Sequence, residues 1–580
     1  MAPSPDETTR LAGKVVFADD RAEFLLAGHI AQFGDPQQLG WQPVKQNASR
    51  TVWRGEIDGQ NVYLKHFHSR TLSHRLGRAM GASDARCEMR FSQYLSRRGV
   101  DTPQPLAMMC RNGAEWLATA AVEPSQPAHE WQLAQRQQGP AGRRRIRHAI
   151  LSAAESVAQM HAAGVLHCDL HAGNMLIRTD ESAPRVVLMD LHRMKRRRCL
   201  SRRVCVANLA QLMHDRLEWT TRSERLRFLK HYLAVRETGG TLRGWAILIE
   251  ESAWRHRRRL YAQRERRILS SNRYFRRLRL GDGWRGHVVL ASKRRPIGSR
   301  AAELTFSADE WRRALARPEQ LMLGGQVEKV LKDSASGTVI RRRLKVGPHE
   351  LDVVIKRPRR KRAWKRLADC FRPARTIRAF RLGHALLTRR IATALPLVAL
   401  ERRVGPLLLD SMLITEYVDA PQLHHFLNLW LGEGHQPAPL DEPQRRQLGT
   451  QVLWQMGRLL QRLHDSNFHH RDLKGPNMLV RWAPPDQPQV VLVDLDGLRH
   501  VRHLTEKQRF HGLMRLNVSL RQCPCVNLPG QLRMLLGYLR RPGSGRINFK
   551  PYWRVLEAWS ARKMRQQIRT RRRKQKAVRG

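Results

Sequence analysis

The chain has 580 residues, with 106 Lys and Arg against 50 Asp and Glu, so its formal net charge is +56. This length fits two to four domains, and a hydrophobic content of 41% supplies ordinary cores, which excludes a disordered chain. So positive a surface is expected to attract polyanions, namely nucleic acid, an anionic membrane face or a phosphate-rich substrate, but it says nothing about the fold.

Cysteine usage and hydropathy bear on the compartment. The eight Cys are scattered, and the close pair in Cys523-Pro524-Cys525 does not have the spacing of zinc ligands. We therefore expect reduced thiols, as in the cytosol. The first residues show no apolar segment of a secretory signal, and no run approaches the ~18 apolar residues of a membrane span. These features predict a cytoplasmic protein and leave contact with a membrane surface open.

The first half begins with strand and helix patterns. Residues 45–54, the turn Asp58-Gly59 and residues 61–65 predict a hairpin and a third strand that ends on Lys65. A helix over residues 84–98 follows, with Glu88 in its first turns. A strand over residues 116–122 and a helix over residues 147–163 come next.

Two copies of one motif then organise the chain. Residues 167–174 have the sequence His-Cys-Asp-Leu-His-Ala-Gly-Asn, and a following apolar strand ends in Asp190. Residues 470–477 have the sequence His-Arg-Asp-Leu-Lys-Gly-Pro-Asn, and the strand after them ends in Asp494. A chance turn explains one copy, because Asp and Asn are common turn residues. Two copies with matching flanks exclude that explanation.

The spacing within each copy suits phosphoryl transfer. A loop Asp can hold an acceptor hydroxyl in line with a γ-phosphate and take its proton, which predicts Asp169 and Asp472 as catalytic bases. An Asn five residues later and an Asp on the next strand can hold the Mg²⁺ ions that bridge the phosphates. The predicted metal ligands are Asn174 with Asp190 and Asn477 with Asp494. The chain is therefore predicted to be a tandem of two kinase-like domains.

The second half repeats the first. Residues 332–339 match residues 45–52 without a gap, and the strand over residues 352–356 ends on Lys356. The expected helix over residues 376–389 contains no acid and places Ala379 opposite Glu88. The missing acid raises doubt about the activity of the second domain.

The kinase pattern predicts further roles for residues on these strands, helices and loops. The third-strand lysines, Lys65 and Lys356, are predicted to hold the α- and β-phosphates of ATP, and Glu88 to pair with Lys65. The strand and hinge over residues 413–418 predict adenine contacts through the backbones of Glu416 and Val418. Lys474 is placed to neutralise charge on the moving phosphoryl group. The loops over residues 47–51 and 334–338 replace a Gly-rich loop with small and hydroxyl side chains, whose backbone N–H groups can cradle phosphate.

Four segments make up the predicted layout: a disordered tail, a first domain, a second domain with a poorly defined junction at its start, and a basic tail. They cover residues 1–13, 14–271, 272–560 (junction 272–303) and 561–580. The basic tail is either a solvated helix end or an anchor for a polyanion or anionic lipid. A basic run over residues 192–198 follows Asp190, where a kinase binds its acceptor, and favours an acidic acceptor.

With these motifs in view, the chain resembles the lipopolysaccharide kinase family (Kdo/WaaP type). The resemblance lies in residues 167–174, in Met-Asp-Leu-His-Arg at 189–193, and in the helix exits at 99–105 and 384–387. It implies an α+β fold of two tandem protein-kinase-like domains, each with a small β-rich N-lobe and a larger helical C-lobe. It also implies ATP with Mg²⁺ or Mn²⁺, and a sugar hydroxyl on a lipid-linked anionic glycan as acceptor. The positive surface is expected to hold such a cytoplasmic enzyme near the inner face of the inner membrane. The family normally has one such domain, so the tandem is a departure.

Alternative functions stay open. A protein serine/threonine kinase is the second reading, supported by Lys474 and opposed by the lack of a Gly-rich loop and of an Ala-Pro-Glu motif. An antibiotic phosphotransferase is the third, because it also uses His-x-Asp-Leu-His. The second domain is alternatively a regulatory pseudokinase or a scaffold that binds nucleotide or polyanion. A nucleic-acid-binding module suits the charge, but the sequence shows no recognition motif for specific nucleic acid.

Overall fold

The computed structural model of the chain describes residues 14–46, 50–68, 83–111, 114–179, 183–214, 220–292, 296, 298–323, 327–359, 372–432, 440–483, 487–541 and 547–579. The chain divides into two compact units, Met1–Arg258 (unit 1) and Arg259–Gly580 (unit 2). The predicted tail over residues 1–13 lies outside the described residues.

Unit 1 begins with a six-stranded antiparallel sheet in the order β1-β5-β6-β4-β3-β2. Its strands are β1 Lys14–Phe17, β2 Gln42–Gln46, β3 Arg50–Ile57, β4 Gln60–Phe67, β5 Pro105–Arg111 and β6 Ala114–Ala120. Two helices accompany the sheet, α1 Asp20–Leu26 and α2 Asp84–Ser96. Val62 and Leu64 on β4 are fully buried in a core with Phe33 and Trp116. Their alternation along β4 follows the period of two that a sheet with one buried face requires.

The rest of unit 1 is mostly helical. Its elements are β7 Ser125–Pro127, α3 Ala128–Gln137, α4 Gly139–Ala162, β8 Val165–His167, β9 Met175–Arg178, β10 Arg185–Leu188, β11 Met194–Arg196, α5 Arg202–Met213, α6 Arg222–Arg236 and α7 Leu242–Ile268. Val157 on α4 and Tyr232 on α6 are fully buried in one core with Trp245 on α7. Thr221 and Glu224 form a capping box that starts α6.

Unit 2 begins with a seven-stranded antiparallel sheet in the order β12-β13-β17-β18-β16-β15-β14. Its strands are β12 Phe275–Arg279, β13 Trp284–Val289, β14 Val327–Ser334, β15 Gly337–Val346, β16 His349–Pro358, β17 Pro396–Val404 and β18 Leu407–Glu416. The helices α8 Ala308–Ala314 and α9 Arg375–Thr388 accompany this sheet. Trp284, Trp311 and Ile355 are buried in its core.

A helical part follows in unit 2 as well. Its elements are α10 Leu423–Leu431, α11 Glu442–Asp465, β19 Phe468–His470, β20 Met478–Arg481, β21 Gln489–Leu492, β22 Leu498–His500, α12 Glu506–Leu520, α13 Leu528–Leu539 and α14 Lys550–Arg579. Asp441 caps α11 in a capping box with Gln444. Met456 on α11, Leu535 on α13 and Leu556 on α14 are fully buried in one core.

The two sheets share five strands in one order. The order β5-β6-β4-β3-β2 of unit 1 recurs in unit 2 as β17-β18-β16-β15-β14. The register agrees at the strand lysines, since Lys65 lies opposite Val52 and Lys356 lies opposite Val339. Arg50 then corresponds to Gly337, two positions before each valine. The duplication predicted from the motifs is therefore present in the strand order.

The start of unit 2 differs in detail from the predicted layout. The division between the units falls inside α7, whereas the predicted boundary near residue 272 lies after this helix. Ile268 packs with Phe380 and Leu413 of unit 2, which is why the last turns of α7 belong to that unit. The predicted junction over residues 272–303 supplies β12, an edge strand of the sheet, and β13, which pairs with β12 and β17.

The last described element is the long helix α14. Residues 561–579 of the predicted basic tail lie within α14, which begins earlier, at Lys550, because Leu556 and Ser560 are buried, and Gly580 lies outside the described residues. Among the described residues the cysteines are free thiols. None of the helices in the described part of the chain combines the length and hydropathy needed to cross a bilayer.

Candidate active site

Lys65 and Glu88 meet inside unit 1. Lys65 lies on β4 and Glu88 in the second turn of α2, and the Lys65 ammonium donates to Glu88 Oε1. Their side chains are 6% and 4% exposed. A buried charge of this kind is tolerated because its partner lies within hydrogen-bonding distance. The structure therefore brings together the lysine and the helix glutamate that the sequence paired.

In each unit a histidine links the predicted catalytic loop to the end of the strand that follows. In unit 1 the N–H of Asp169 donates to His167 Nδ1 at 3.1 Å, and His167 Nε2 lies 2.9 Å from the Met189 carbonyl. An imidazole that accepts at Nδ1 donates from Nε2, so His167 is neutral and in one tautomer. Burial lowers the pKa of His167, which favours the same neutral form. His470 likewise accepts from the Asp472 N–H, but its Nε2 lies near the carbonyl of Asp494 itself, one position later than in unit 1.

The loop asparagines hold the loops in shape. Asn174 Nδ2 donates to the Asp169 carbonyl at 3.0 Å, and Asn477 Nδ2 donates to the Asp472 carbonyl at 2.8 Å. Both asparagines are 7% exposed and lie in short 3₁₀ turns. With the amide nitrogen used in this way, the amide oxygen of each Asn is the atom suited to a metal ion.

Arg50 forms an ion pair with Asp190, the predicted metal ligand of unit 1. Its guanidinium donates to both carboxylate oxygens of Asp190, at 2.6 and 2.7 Å. Asp190 adopts a left-handed backbone conformation, with φ of 63°. Burial alone would raise the pKa of Asp190, but Arg50 and Lys65 outweigh burial and hold that pKa well below its ordinary value. Asp190 is therefore ionised, and its charge is neutralised by Arg50.

Unit 2 arranges its strand lysine differently. Lys356 Nζ lies 2.6 Å from Asp494 Oδ1 and 2.8 Å from Asp496 Oδ2. Burial opposes the charge on Lys356, but Asp496 and Asp494 outweigh burial, and the pKa of Lys356 is raised. The predicted phosphate lysine and metal aspartate are thus brought together. The acid missing from α9 does not leave Lys356 without a carboxylate.

The two aspartates predicted to be catalytic bases have different cationic neighbours. Asp169 has Arg193 Nη1 at 3.3 Å and His171 Nε2 at 3.7 Å. Asp472 has Lys474 Nζ at 2.7 Å on one oxygen and Arg515 Nη1 at 2.9 Å on the other. Partial burial would raise the pKa of Asp472, but Lys474 and Arg515 outweigh it and lower that pKa. Lys474 therefore contacts Asp472, and its predicted role of neutralising charge on the moving phosphoryl group stays a prediction.

The predicted hinge follows β18. The N–H of Glu416 donates to the Leu395 carbonyl at 2.9 Å and is therefore engaged within unit 2. The Glu416 carboxylate binds the segment after β13, accepting hydrogen bonds from Ser299 Oγ and from the Ala301 N–H. Val418 is buried. Adenine binding by Glu416 and Val418 stays a prediction.

The predicted phosphate loops are described in part. Asn47, Ala48 and Ser49 lie outside the described residues. In unit 2, Ser334 Oγ and Ser336 Oγ lie 2.9 Å apart at the turn between β14 and β15. Gly337 follows with φ of 152°, and an added Cβ there would lie 2.7 Å from the Arg357 carbonyl oxygen. The turn therefore requires glycine at this position.

The donor set at each strand end fits a divalent cation. Asp190 with Asn174, and Asp494 with Asn477, offer carboxylate and amide oxygens, which Mg²⁺ and Mn²⁺ prefer. In both units a side-chain cation, Arg50 or Lys356, already lies on the aspartate. Among the described residues, Glu88, Asp190 and His192 also bring ligand atoms within 4.8 Å of one another. The carboxylate oxygens of Asp190 and Asp494 therefore already bind a positive charge in this structure.

Comparisons with known proteins identify the family of the chain. The model of the lipopolysaccharide kinase (Kdo/WaaP) family matches residues 38–232 and again residues 322–530. The chain belongs to the lipopolysaccharide kinase (Kdo/WaaP) family. It is thus a kinase, a phosphotransferase that acts on hydroxyl groups, and the predicted fold of two tandem kinase-like domains is confirmed.

Individual relatives include one curated enzyme and two solved structures. The lipopolysaccharide core heptose(I) kinase WaaP of Pseudomonas aeruginosa is 27% identical over 234 residues, 37% of this chain and 85% of the relative. WaaP in complex with acyl carrier protein is 24% identical, with a TM-score of 0.33, over 42% of this chain and 98% of that one. A Stt7 homolog from Micromonas algae, soaked with ATP, is 19% identical, with a TM-score of 0.21, over 26% and 48%.

The sequence did not predict three contacts at these sites. They are Arg50 on Asp190, Asp496 on Lys356, and Arg515 on Asp472. Asp496 carried a signal, because it is an acid two residues after Asp494 in the copy whose helix contains no acid. Arg50 stands where the second copy has Gly337. Arg515 lies on α12, and nothing in its local sequence relates it to Asp472.

Proposed function

We propose that this kinase transfers the γ-phosphoryl group of ATP to a sugar hydroxyl of an anionic, lipid-linked glycan of the lipopolysaccharide-core type, and that unit 1 carries this activity. The supporting observation is the charge beside Asp169. Arg193 contacts Asp169, and Lys195, Arg196, Arg197 and Arg198 follow it with exposed side chains. Such a cationic run favours an acceptor that already bears phosphate or carboxylate groups.

In this proposal each site residue of unit 1 has a separate role in the reaction. Asp169 accepts the proton of the sugar hydroxyl as its oxygen bonds to the γ-phosphorus, and the bond to the β-phosphate oxygen breaks to release ADP. Lys65, held by Glu88, binds the α- and β-phosphates. Asn174 and Asp190 hold Mg²⁺ or Mn²⁺, which when bound neutralises charge on the phosphates.

The residues around the proposed position of the acceptor differ in unit 2. The positions after Asp494 are Leu495, Asp496 and Gly497, and the cations on Asp472 are Lys474 and Arg515. Lys474 on the catalytic aspartate is the arrangement of protein kinases. This contact favours, as a second candidate function, phosphorylation of a protein hydroxyl by unit 2, or a regulatory role for that unit.

The basic surface supports contact with an anionic membrane. The net charge of +56 and the basic helix α14 favour adsorption to anionic headgroups on the inner face of the inner membrane. Such binding is electrostatic, so we expect it to weaken steeply between low and physiological salt. Co-sedimentation with vesicles that contain anionic lipid, at two salt concentrations, measures it.

One assay tests the proposed function. Transfer of labelled phosphate from ATP would be measured with a panel of core oligosaccharides and with a generic protein, using wild type, Asp169→Ala, Asp472→Ala and the double variant. We expect oligosaccharide phosphorylation to fall by about a thousandfold or more in Asp169→Ala, because a catalytic base and its positioning are lost. Glu56→Gln, an exposed acid on β3, is the control and should retain activity.

The results separate the candidates. Loss of sugar phosphorylation in Asp472→Ala alone would assign the activity to unit 2 and overturn the choice of unit 1. Labelling of the protein substrate that disappears in Asp472→Ala would support the second candidate function. Wild type that labels no glycan in the panel, while labelling protein through Asp169, would overturn the proposed acceptor.

A further inference from the structure

The helix after the third strand plays different parts in the two units. In unit 1, α2 supplies Glu88 to Lys65. In unit 2, α9 contains no Asp or Glu along its whole length, from Arg375 to Thr388. Ala379 takes the position of Glu88, because both lie the same number of residues before an equivalent helix exit, at Val100 and at Ile391. The helix therefore provides no carboxylate for Lys356.

A short turn supplies the carboxylates instead. Asp494 and Asp496 flank Leu495 at the end of β21, and both reach the Lys356 ammonium, at 2.6 and 2.8 Å. Asp494 has a left-handed backbone, with φ of 59°. The residue of unit 1 at the position of Asp496 is His192, so this second aspartate is particular to unit 2.

Two carboxylates are needed if a metal ion is to bind. A divalent cation on Asp494 takes the carboxylate that now neutralises Lys356, and it also repels the ammonium. Lys356 is 22% exposed, so an unpaired ammonium there is poorly compensated by water. In unit 1 the two tasks belong to two residues, Asp190 for the metal and Glu88 for the lysine. Asp496 allows the same division in unit 2.

We propose that Asp496 is the positioning residue of a nucleotide site in unit 2: it holds the Lys356 ammonium for the phosphates of a nucleoside diphosphate or triphosphate and leaves Asp494 to the metal. This inference rests on the proposed function, because it presupposes a kinase-type nucleotide site. Both partners of Lys356 lie on the turn after β21, so the lysine of unit 2 is held independently of α9, whereas the lysine of unit 1 depends on α2.

Binding of ADP and of adenosine to the full chain tests the proposal. The parent protein would carry Lys65→Met, so that calorimetric titration with ADP and Mn²⁺ reports on unit 2. We expect Asp496→Asn to weaken ADP binding by about tenfold, since a charged hydrogen bond that orients the lysine is lost. Adenosine has no phosphate for Lys356 to bind, so its affinity should stay at the parent value. Asp496→Glu, which keeps the charge, should retain most ADP affinity.

A transfer of the carboxylate provides the sharpest test. Ala379→Glu added to Asp496→Asn places an acid on α9, as Glu88 is placed on α2, and should restore ADP binding. Asp410→Asn is the matched control, because Asp410 pairs with Arg357, the neighbour of Lys356 on β16. It should leave ADP binding unchanged.

Each remaining outcome counts against the proposal. Parental ADP affinity in Asp496→Asn, or an equal loss for ADP and adenosine, would overturn the positioning role. A parent whose unit 2 binds no ADP would overturn it as well. That result leaves the function proposed for unit 1 standing, since glycan phosphorylation through Asp169 is measured separately.

Discussion

Arg50 and Asp190 form a bidentate ion pair across 140 residues of sequence, with hydrogen bonds of 2.6 and 2.7 Å. Arg50 begins β3, and Asp190 follows β10. Both oxygens of the proposed metal ligand of unit 1 are therefore occupied by a guanidinium. Unit 2 has Gly337 at the position of Arg50, and there the cation on the corresponding aspartate, Asp494, is Lys356.

Removing Arg50 should make metal binding to unit 1 easier. In Arg50→Ala, Mn²⁺ no longer has to displace a guanidinium from Asp190. The Mn²⁺ concentration at which unit 1 is half-saturated should therefore fall by about tenfold. Electron paramagnetic resonance of free Mn²⁺ measures this in the full chain carrying Asp494→Asn, which weakens the metal site of unit 2. Arg54→Ala is the control, since Arg54 lies on the same strand and pairs with Glu123. A higher Mn²⁺ requirement in Arg50→Ala would show that Arg50 assists the metal instead.

The Lys65–Glu88 pair predicts a stability effect. Glu88→Gln leaves the buried Lys65 ammonium uncompensated and should destabilise unit 1 by about 3 kcal/mol. The double variant Lys65→Met with Glu88→Leu should lose less than Glu88→Gln, because no unpaired charge remains. Urea unfolding of the full chain, monitored by hydrogen exchange of the α2 amides, measures the stability loss in both variants. Asp84→Asn, on the same helix, is the control. Equal losses in the single and the double variant would contradict this account.

Arg515 predicts a pH effect on unit 2. Lys474 and Arg515 lower the pKa of Asp472, so the base form of Asp472 persists to lower pH than for a free carboxyl. In Arg515→Gln that pKa should rise, and the acidic limb of the pH–rate profile should move to higher pH. Phosphoryl transfer by unit 2 in an Asp169→Ala background measures it. An unchanged acidic limb would mean that another group controls it.

Buried histidines predict loss of stability in acid. His161 lies 2.8 Å from the Tyr232 hydroxyl, and His464 lies 2.9 Å from the Tyr538 hydroxyl. Burial lowers the pKa of His161 to about 4 and of His464 to about 3. The unfolded chain therefore binds protons first, so this stability is present above pH 6.5 and is lost as the pH falls towards those values.

The size of that acid effect follows from linkage. Each buried histidine should remove about 1.4 kcal/mol of stability per pH unit between its unfolded and folded pKa. Urea midpoints at pH 7, 6 and 5 measure it for each unit. His464→Asn should flatten the pH dependence of unit 2 and leave that of unit 1 unchanged. A dependence that is equally steep in the variant would rule out His464 as its source.

Local sequence determined the fold and most of the proposed site. The spacing of Asp169 to Asn174, and of Asp472 to Asn477, predicted the two kinase-like units, because these contacts lie within one loop. The pairing of Lys65 with Glu88 was also predictable, since a strand lysine and the acid of the next helix are joined by fixed element order. Such relations depend on chain spacing, which the sequence displays directly.

Only the tertiary structure decided which side chains neutralise the site. Arg50 meets Asp190, Asp496 meets Lys356, and Arg515 on α12 meets Asp472 because strands and helices distant in the chain pack against one another. From sequence, the lack of an acid in α9 indicated a missing partner for Lys356. The fold supplies that partner from a turn 140 residues further along the chain. Charge compensation is a matter of distance in space, and one strong cation or anion can replace another from any element that reaches the same point.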